Sequence, residues 1–380
     1  FPKNVAAECA KWFQRKEDTD YYLNSSDYIQ TTINDNSATG HGGGIYVNML
    51  SRVIFDSAIE GKTDQNHILL SHNSANANDN NFGDGGGVYV TGNNSIVSMD
   101  GVNYEYNSAV NGGGIAVVDS ALAYTVPTHC AQTESCNIFS NNKTSVNDGK
   151  GGAVFLDAAV GNFTLVEFRG NRADEGTVFY AANNSAAGFY NSIMYINGNQ
   201  GLQNYTDKFL VAIHDSVFQM HNVTSSINKV TTATIGGTNA EYFVKNSIVY
   251  ESQPGQTANL INSQGQFNCV ILENDMGVQS LVNSLVGVDP MLNDLPHGDF
   301  HLQSNSPAID LCPEEDTVQN ASRLSKQFQN IRIPEGSTDF DGEFRIWDDP
   351  TVVNQYGMID AGADESYLGD IIFKNDFTDS

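Results

Sequence analysis

The stretch FRGNRADE, residues 168–175, brings two basic and two acidic side chains close together. Among the nine Lys and Arg residues between positions 30 and 290, Arg169 and Arg172 form the only close pair. A polysaccharide lyase needs a base and positive charge beside the substrate carboxylate, and these arginines could supply both. Asp174 and Glu175 could instead be the paired carboxylates of a glycoside hydrolase. The alternative is a charged turn without a catalytic role.

A second group of oxygen ligands lies near the C terminus, where Asp339, Asp341 and Glu343 alternate around a glycine. Carboxylates at this spacing could bind Ca²⁺, the only cofactor that the sequence indicates. The full twelve-residue calcium-loop pattern is absent, so a solvated acidic turn is the alternative. The eight histidines are scattered without the spacing of metal ligands.

Five cysteines are compatible with an exported protein. Cys130 and Cys136 enclose a short loop that a disulfide could close, and Cys269 and Cys312 are a second possible pair. Cys9 is then left over. The chain begins at Phe1 without a methionine, which favours a processed, exported protein over a cytoplasmic one.

The charge balance is strongly acidic, with 18 Lys and Arg against 45 Asp and Glu and a net charge of −27. A surface of this sign repels phosphates and polyuronates, so nucleic acid is excluded as a partner. No apolar run reaches the length of a membrane span.

Glycine blocks recur along the first half of the chain, as GHGGGIYV, DGGGVYV, NGGGIAVV and KGGAVFL. A small triplet that begins with asparagine, such as NSA, precedes each block. Glycine suits tight corners and close backbone approach, asparagine tolerates the left-handed conformation, and runs such as IYV favour strands. The residues assigned this structural role are Gly42, Gly43, Gly44, Gly85, Gly86, Gly87, Gly112, Gly113, Gly114, Gly151, Gly152, Asn36, Asn73 and Asn107.

The second half replaces the glycines with a polar-Ser-apolar tag, as in NSIMY at Asn191, DSVFQ at Asp215, NSIVY at Asn246 and NSLVG at Asn283. Such recurrence predicts a solenoid, in which each strand pairs with its equivalent one coil away. An antiparallel sandwich requires frequent hairpin signals, and a βαβ fold requires amphipathic helices between strands. Hairpin signals are few in this sequence, and no amphipathic helices lie between the strands.

We therefore predict an all-β protein built as a single-stranded right-handed parallel β-helix. Residues 1–30 are expected to form an N-terminal cap, which the spacing of Ala, Cys, Trp and Phe over residues 4–16 suggests is helical. Coils are expected over residues 31–290, and a closing module and tail over residues 291–380.

The repeats resemble those of secreted bacterial parallel β-helix proteins, including polymorphic outer-membrane proteins and pectin-lyase-like solenoids. The tail, with SPAID, DFDGEFR and GMIDAGADE in that order, is similar to the C-terminal module of the choice-of-anchor type. The ending DIIFKNDF resembles the sorting endings of exported gammaproteobacterial proteins, although Asn375 and Asp376 precede Phe377 where those endings have Asp or Asn and then Gly. The resemblance covers roughly residues 36–377 and implies a secreted or cell-surface protein of a Gram-negative bacterium.

Arg345 lies between two of these tail motifs and is one of few arginines in the chain. We expect its guanidinium to pair with Asp310 or Asp360 and to close the last coils.

These features favour a non-catalytic β-helix that serves adhesion, matrix formation or self-assembly into filaments. Its partner is then another copy of the chain or an extracellular polysaccharide. The alternative function is a polysaccharide lyase or hydrolase, for which basic residues are scarce.

Overall fold

A computed structural model describes residues 20–24, 31–48, 50–56, 68–75, 83–125, 137–145, 147–198, 205–251, 256–313, 339–340 and 351–366. Within them the chain forms thirty β-strands, one short 3₁₀ helix and no α-helix. Strands of successive coils pair in parallel and in register, as Ile45, Val88 and Ile115 do. The predicted parallel β-helix is therefore confirmed.

Three faces of the β-helix run along its length. The first face begins with β1 (Asp20–Asn24), β5 (Arg52–Asp56), β9 (Ile96–Met99), β13 (Leu122–Thr125) and β17 (Val160–Thr164). The second face begins with β2 (Thr32–Asn34), β6 (Ile68–Ser71), β10 (Val102–Glu105), β14 (Asn137–Ser140) and β18 (Val166–Arg169). Single bent strands then serve both faces, namely β20 (Ala186–Tyr195), β22 (Val217–Ser226), β24 (Glu241–Tyr250) and β26 (Gln264–Leu272). The outermost strands are β27 (Leu281–Val282) on the first face and β28 (Leu285–Val286) on the second.

The third face is a separate sheet of eight strands. They are β4 (Ile45–Val47), β8 (Val88–Thr91), β12 (Ile115–Val118), β16 (Val154–Asp157), β19 (Phe179–Ala182), β21 (Phe209–His214), β23 (Ala233–Thr238) and β25 (Gln256–Ile261). A short sheet joins the second face to the third in the early coils and contains β3 (Ser37–Ala38), β7 (Ser74–Ala75), β11 (Ser108–Ala109) and β15 (Lys143–Thr144). Inward side chains such as Tyr104, Phe139 and Phe168 stack from coil to coil and form the core.

Two neighbouring glycines in each block of the first half are required for two different physical reasons. Gly42, Gly85 and their equivalents take positive φ, which glycine adopts without strain. A side chain on the next glycine, as at Gly86, would collide with the backbone of the following coil. The first glycine therefore turns the chain and the second allows the coils to approach.

An asparagine ladder runs along the inside of the corner that follows the second face. Its members donate from Nδ2 to the Oδ1 of the next member at 2.8–3.1 Å, in the order Asn36, Asn73, Asn107, Asn142, Asn171, Asn197 and Asn228. The ladder ends at the fully buried Glu251, whose carboxylate accepts from the backbone N–H of Asn228 at 2.8 Å. Each turn of the β-helix is thus tied to the next by buried polar side chains.

The polar-Ser-apolar tags mark two corners rather than one. Asn191, Asn246 and Asn283 take positive φ between the first and second faces, whereas Asp215 does so between the third and first. The serine after such a corner accepts from a backbone N–H of the preceding coil, as Ser192 does from Val166 at 3.2 Å. The recurring serine therefore satisfies an amide that the turn would otherwise leave unpaired.

Both predicted terminal regions are described in part. Residues 20–24, within the segment predicted as an N-terminal cap, form β1, which pairs in parallel with β5. The possible helix at residues 4–16 lies outside the described residues. Near the C terminus, β29 (Leu292–Asp294) and β30 (Asp299–Leu302) form an antiparallel pair around a 3₁₀ helix at Leu295–His297.

The described parts of the C-terminal module pack along the side of the β-helix. Leu302, Leu311 and Ile359 form a second hydrophobic core with Ile248 and Ile271, which lie on the outward side of the second face. The module therefore covers the flank of the late coils.

Candidate functional site

The four residues considered for catalysis do not converge on one site. Arg169 lies on the outside of the second face, where its Nη1 is 3.0 Å from Glu167 Oε1. The Tyr195 hydroxyl donates to the same carboxylate at 2.7 Å. Burial lowers the pKa of Arg169, but Glu167 and Tyr195 outweigh it and the pKa is raised. This guanidinium is therefore held in an ion pair.

Arg172 and Asp174 fasten a neighbouring segment of chain. The buried Arg172 guanidinium is 3.0 Å from Asp207 Oδ2 and lies 4.7 Å from the centre of the Tyr205 ring. Asp174 accepts from the backbone N–H of Thr206 at 2.8 Å. Both side chains thus hold residues 205–207 against the corner, which is a structural role.

Glu175 lies in a different environment, on the outside of the third face. Its Oε1 is 3.1 Å from His214 Nε2 and 3.9 Å from Lys208 Nζ. Burial raises the pKa of Glu175, but His214, Lys208 and Lys150 outweigh it and the pKa is lowered. Lys150 also lies 5.0 Å from the centre of the Tyr180 ring.

This cluster of Lys150, Glu175, Lys208 and His214 was not predicted as a unit, because its members are separated in sequence. An alignment of the coils in register could have found this cluster. Lys150 and Glu175 form a parallel β-bridge with each other, and each precedes a strand of the third face. Both nitrogens of His214 are engaged, the other one with Thr238 Oγ1 at 2.9 Å. Asp174 and Glu175, although adjacent, bind separate partners and do not form a facing carboxylate pair.

The predicted calcium ligands are described only in part. Asp339 is buried and accepts from the backbone N–H of Glu365 at 3.1 Å, whereas Asp341 and Glu343 lie outside the described residues. Within the described part of the chain, no group of three or more His, Cys, Asp or Glu residues is arranged to hold a metal ion.

The carboxylates expected to close the tail lie in the core of the module. Asp310 and Asp360 are both buried, and Asp360 accepts from the backbone N–H groups of Asp310 and Ser366, each at 2.7 Å. Arg345, their expected partner, lies outside the described residues.

One disulfide joins the module to the β-helix. Cys269 and Cys312 are bonded with their Cα atoms 5.5 Å apart, which confirms the second of the two pairs considered. Cys130, Cys136 and Cys9 lie outside the described residues.

Apolar side chains remain exposed at the last coil of the β-helix. Ile261 on β25 is 57% exposed, and Val282 and Val286 on β27 and β28 are 38% and 40% exposed. Met276 and Val288, in the same stretch of chain, are also exposed. We call these residues of the outermost coils the apolar end: Ile261, Met276, Val282, Val286 and Val288. Ile261 continues the outward row of His214 and Thr238 on the third face, whereas Val286 continues the inward row of Leu272.

The chain matches no protein-family model, no curated protein and no solved structure. Within the described part of the chain, no helix has the length and apolar character that crossing a bilayer requires.

Proposed function

We propose that this is an exported, non-catalytic β-helix protein that associates end to end with copies of itself and serves adhesion or an extracellular matrix. The observation that carries the proposal is the apolar end. Burial of aliphatic side chains provides the main free energy of most protein associations. Exposed aliphatic side chains at this end, with Val286 above the inward-facing Leu272, make it the natural contact for a partner.

A second copy fits this surface because the outermost described strands at the two ends of the β-helix belong to the same three faces. At the C-terminal end the outermost strands are β27, β28 and β25, one for each face. At the other end they are β1, β2 and β4. On the third face, Met276 already lies over β25, since its carbonyl accepts from the backbone N–H of Ala258 at 3.1 Å. Because the described coils pair in parallel, another copy placed head to tail continues the first and second faces from β27 and β28. Such a contact is heterologous and does not close, so it propagates as a filament.

The disulfide between Cys269 and Cys312 supports an exported location, because disulfides persist mainly in oxidising compartments. The partners of Arg172 and Asp174 support a non-catalytic role, because both side chains already bind neighbouring chain. Turnover of alginate, pectate or neutral polysaccharides, with or without Ca²⁺, would overturn the non-catalytic part of the proposal.

The test compares the wild type with a variant that carries Val286→Asp and Val288→Asp. We expect sedimentation velocity and negative-stain microscopy to reveal wild-type rods that lengthen with protein concentration, and variant rods that stay single. Charge at the apolar end removes burial and adds repulsion between ends.

The control is Tyr106→Asp, which places one carboxylate at an exposed side chain on the side of the rod. This control should associate like the wild type. A wild type that is monomeric at every concentration, or a control that fails like the variant, would contradict end-to-end association.

A further inference from the structure

One residue precedes each asparagine of the ladder, and it always turns the corner with positive φ. The series is Asp35, His72, Tyr106, Asn141, Gly170, Ile196 and Ile227, with φ between 49° and 64°. Gly, Asn and Asp adopt this conformation readily, whereas larger side chains adopt it only with strain. The large residues of the series therefore need a compensating interaction.

Burial supplies that compensation at two of these positions. Ile196 and Ile227 are packed against the C-terminal module beside Phe300 and Ala363. Tyr106 has no such cover, because its side chain is 50% exposed. His72, the corner residue one coil earlier, is exposed as well. Two strained and exposed aromatic residues side by side in this series point to selection for binding.

The Tyr106 ring is supported on one side only. Its neighbour His72 stacks against it with ring centres 5.1 Å apart and planes 17° from parallel. On the opposite side, the next two corner residues are Asn141 and Gly170. The Asn141 side chain leans toward Gly170 and fills the space that a side chain at this glycine would need. Among the described residues, no second aromatic ring covers that side of Tyr106.

Polar side chains border the same open area. Glu105 and Arg169 occupy one outward row of the second face, two coils apart, with the buried Ser140 in register between them. The Arg169 side chain is 43% exposed, and its pKa responds to Glu105 as well as to Glu167. Two carboxylates around a single guanidinium leave this area negatively charged.

We propose that this area is a glycan-binding subsite, in which a pyranose ring of an uncharged polysaccharide stacks on Tyr106. An exposed aromatic face presents an apolar surface that fits the C–H side of a sugar ring. Arg169 then donates hydrogen bonds to the hydroxyl groups of the sugar, and Glu105 accepts hydrogen bonds from them. The excess of carboxylates disfavours uronate and sulfate groups, so an uncharged chain is the ligand class.

Titration calorimetry on the full chain tests this, with hexasaccharides of β-1,4-glucose, β-1,3-glucose, α-1,4-glucose and β-1,4-mannose as neutral probes and hexagalacturonate as the acidic probe. We expect binding of at least one neutral probe and none of the acidic one. Tyr106→Asn should weaken that binding roughly tenfold, because the stacking surface is lost. Asparagine suits positive φ, so this variant should fold at least as stably as the wild type.

Two further variants separate a binding role from a structural one. Tyr106→Phe keeps the ring and should retain affinity, whereas Tyr356→Ala removes an exposed tyrosine elsewhere and should change nothing. Absence of binding to every neutral probe, tighter binding of hexagalacturonate, or full affinity in Tyr106→Asn would each overturn the subsite. The outcome is independent of end-to-end association, because Val286→Asp leaves this side of the rod intact.

Discussion

Glu251 is a fully buried carboxyl group that ends the asparagine ladder. It accepts from Ser225 Oγ at 2.5 Å and from both nitrogens of Asn228. Burial raises its pKa from 4.5 to about 7, although these donors favour the charged form. The folded state therefore binds a proton that the unfolded state releases in the same pH range.

The pH dependence of stability follows from this shift. With a folded pKa above the unfolded one, the contribution of Glu251 to stability is fully present below pH 4.5 and is lost as pH rises through about 7. The loss amounts to roughly 3 kcal/mol. Glu251→Gln keeps an oxygen acceptor for Asn228 and carries no charge, so we expect it to be more stable than the wild type at neutral pH but not at acidic pH.

Urea unfolding of the wild type and Glu251→Gln across this pH range measures the difference. Glu241→Gln serves as the matched control, because Glu241 is a half-buried carboxyl group at the start of β24, the strand that Glu251 follows. If the stability difference between Glu251→Gln and the wild type did not change with pH, the raised pKa of Glu251 would be refuted.

Part of the ladder could be predicted from the sequence. Asn36, Asn73 and Asn107 stand out because each begins an NSA triplet, whose Ser and Ala form the short joining sheet. The joining sheet ends at β15, so Asn197 and Asn228 are not followed by such a triplet. They are nevertheless members of the ladder. Glu251 has no local signal at all, because its role depends on the residue one coil before it.

At the scale of elements, the bent strands β20, β22, β24 and β26 carry the contacts with the C-terminal module. Each bent strand has one corner residue with positive φ. In β20 and β24 this residue is Asn191 or Asn246, whereas in β26 it is Cys269, with a φ of 54°. The disulfide therefore replaces a corner asparagine and ties the module to the β-helix. Backbone bonds add to it, as between Gly362 N–H and the Asn246 carbonyl at 3.0 Å.

Removal of this disulfide should loosen the module before the coils. The bond spans 43 residues, and closing a loop of that size stabilises by roughly 4 kcal/mol in the chain-entropy treatment. In the double variant Cys269→Ser, Cys312→Ser we expect faster hydrogen exchange at Leu302, Ile359 and Ala361, with exchange in β12 unchanged. Equal acceleration in β12 would mean that the disulfide stabilises the whole β-helix instead.

The position of this module on the β-helix could not be predicted from the sequence. The motifs SPAID and GMIDAGADE indicate a closing element, and closure suggests the end of a solenoid. The isoleucines that receive the module, Ile248 and Ile271, lie on the outward side of their strands, and a run of alternating apolar residues does not reveal which side is covered. The separation of the catalytic candidates could not be predicted for a similar reason. Residues that are adjacent in sequence at a corner point to different faces of the β-helix.

At the scale of the whole molecule, two opposing forces bear on the proposed end-to-end association. Every copy carries a net charge of −27, so identical copies repel one another. The apolar end favours contact through burial, which salt does not screen. The balance between them should therefore depend on ionic strength.

We expect association to strengthen as NaCl rises from about 20 mM to about 500 mM, because the Debye length falls from roughly 20 Å to under 5 Å. Light scattering at fixed protein concentration measures this, and sulfate should act more strongly than chloride because it also favours apolar burial. The variant with Val286→Asp and Val288→Asp should stay monomeric throughout. Association that weakens with salt would instead place ionic contacts between the copies, and the apolar end would then not be the surface that joins them.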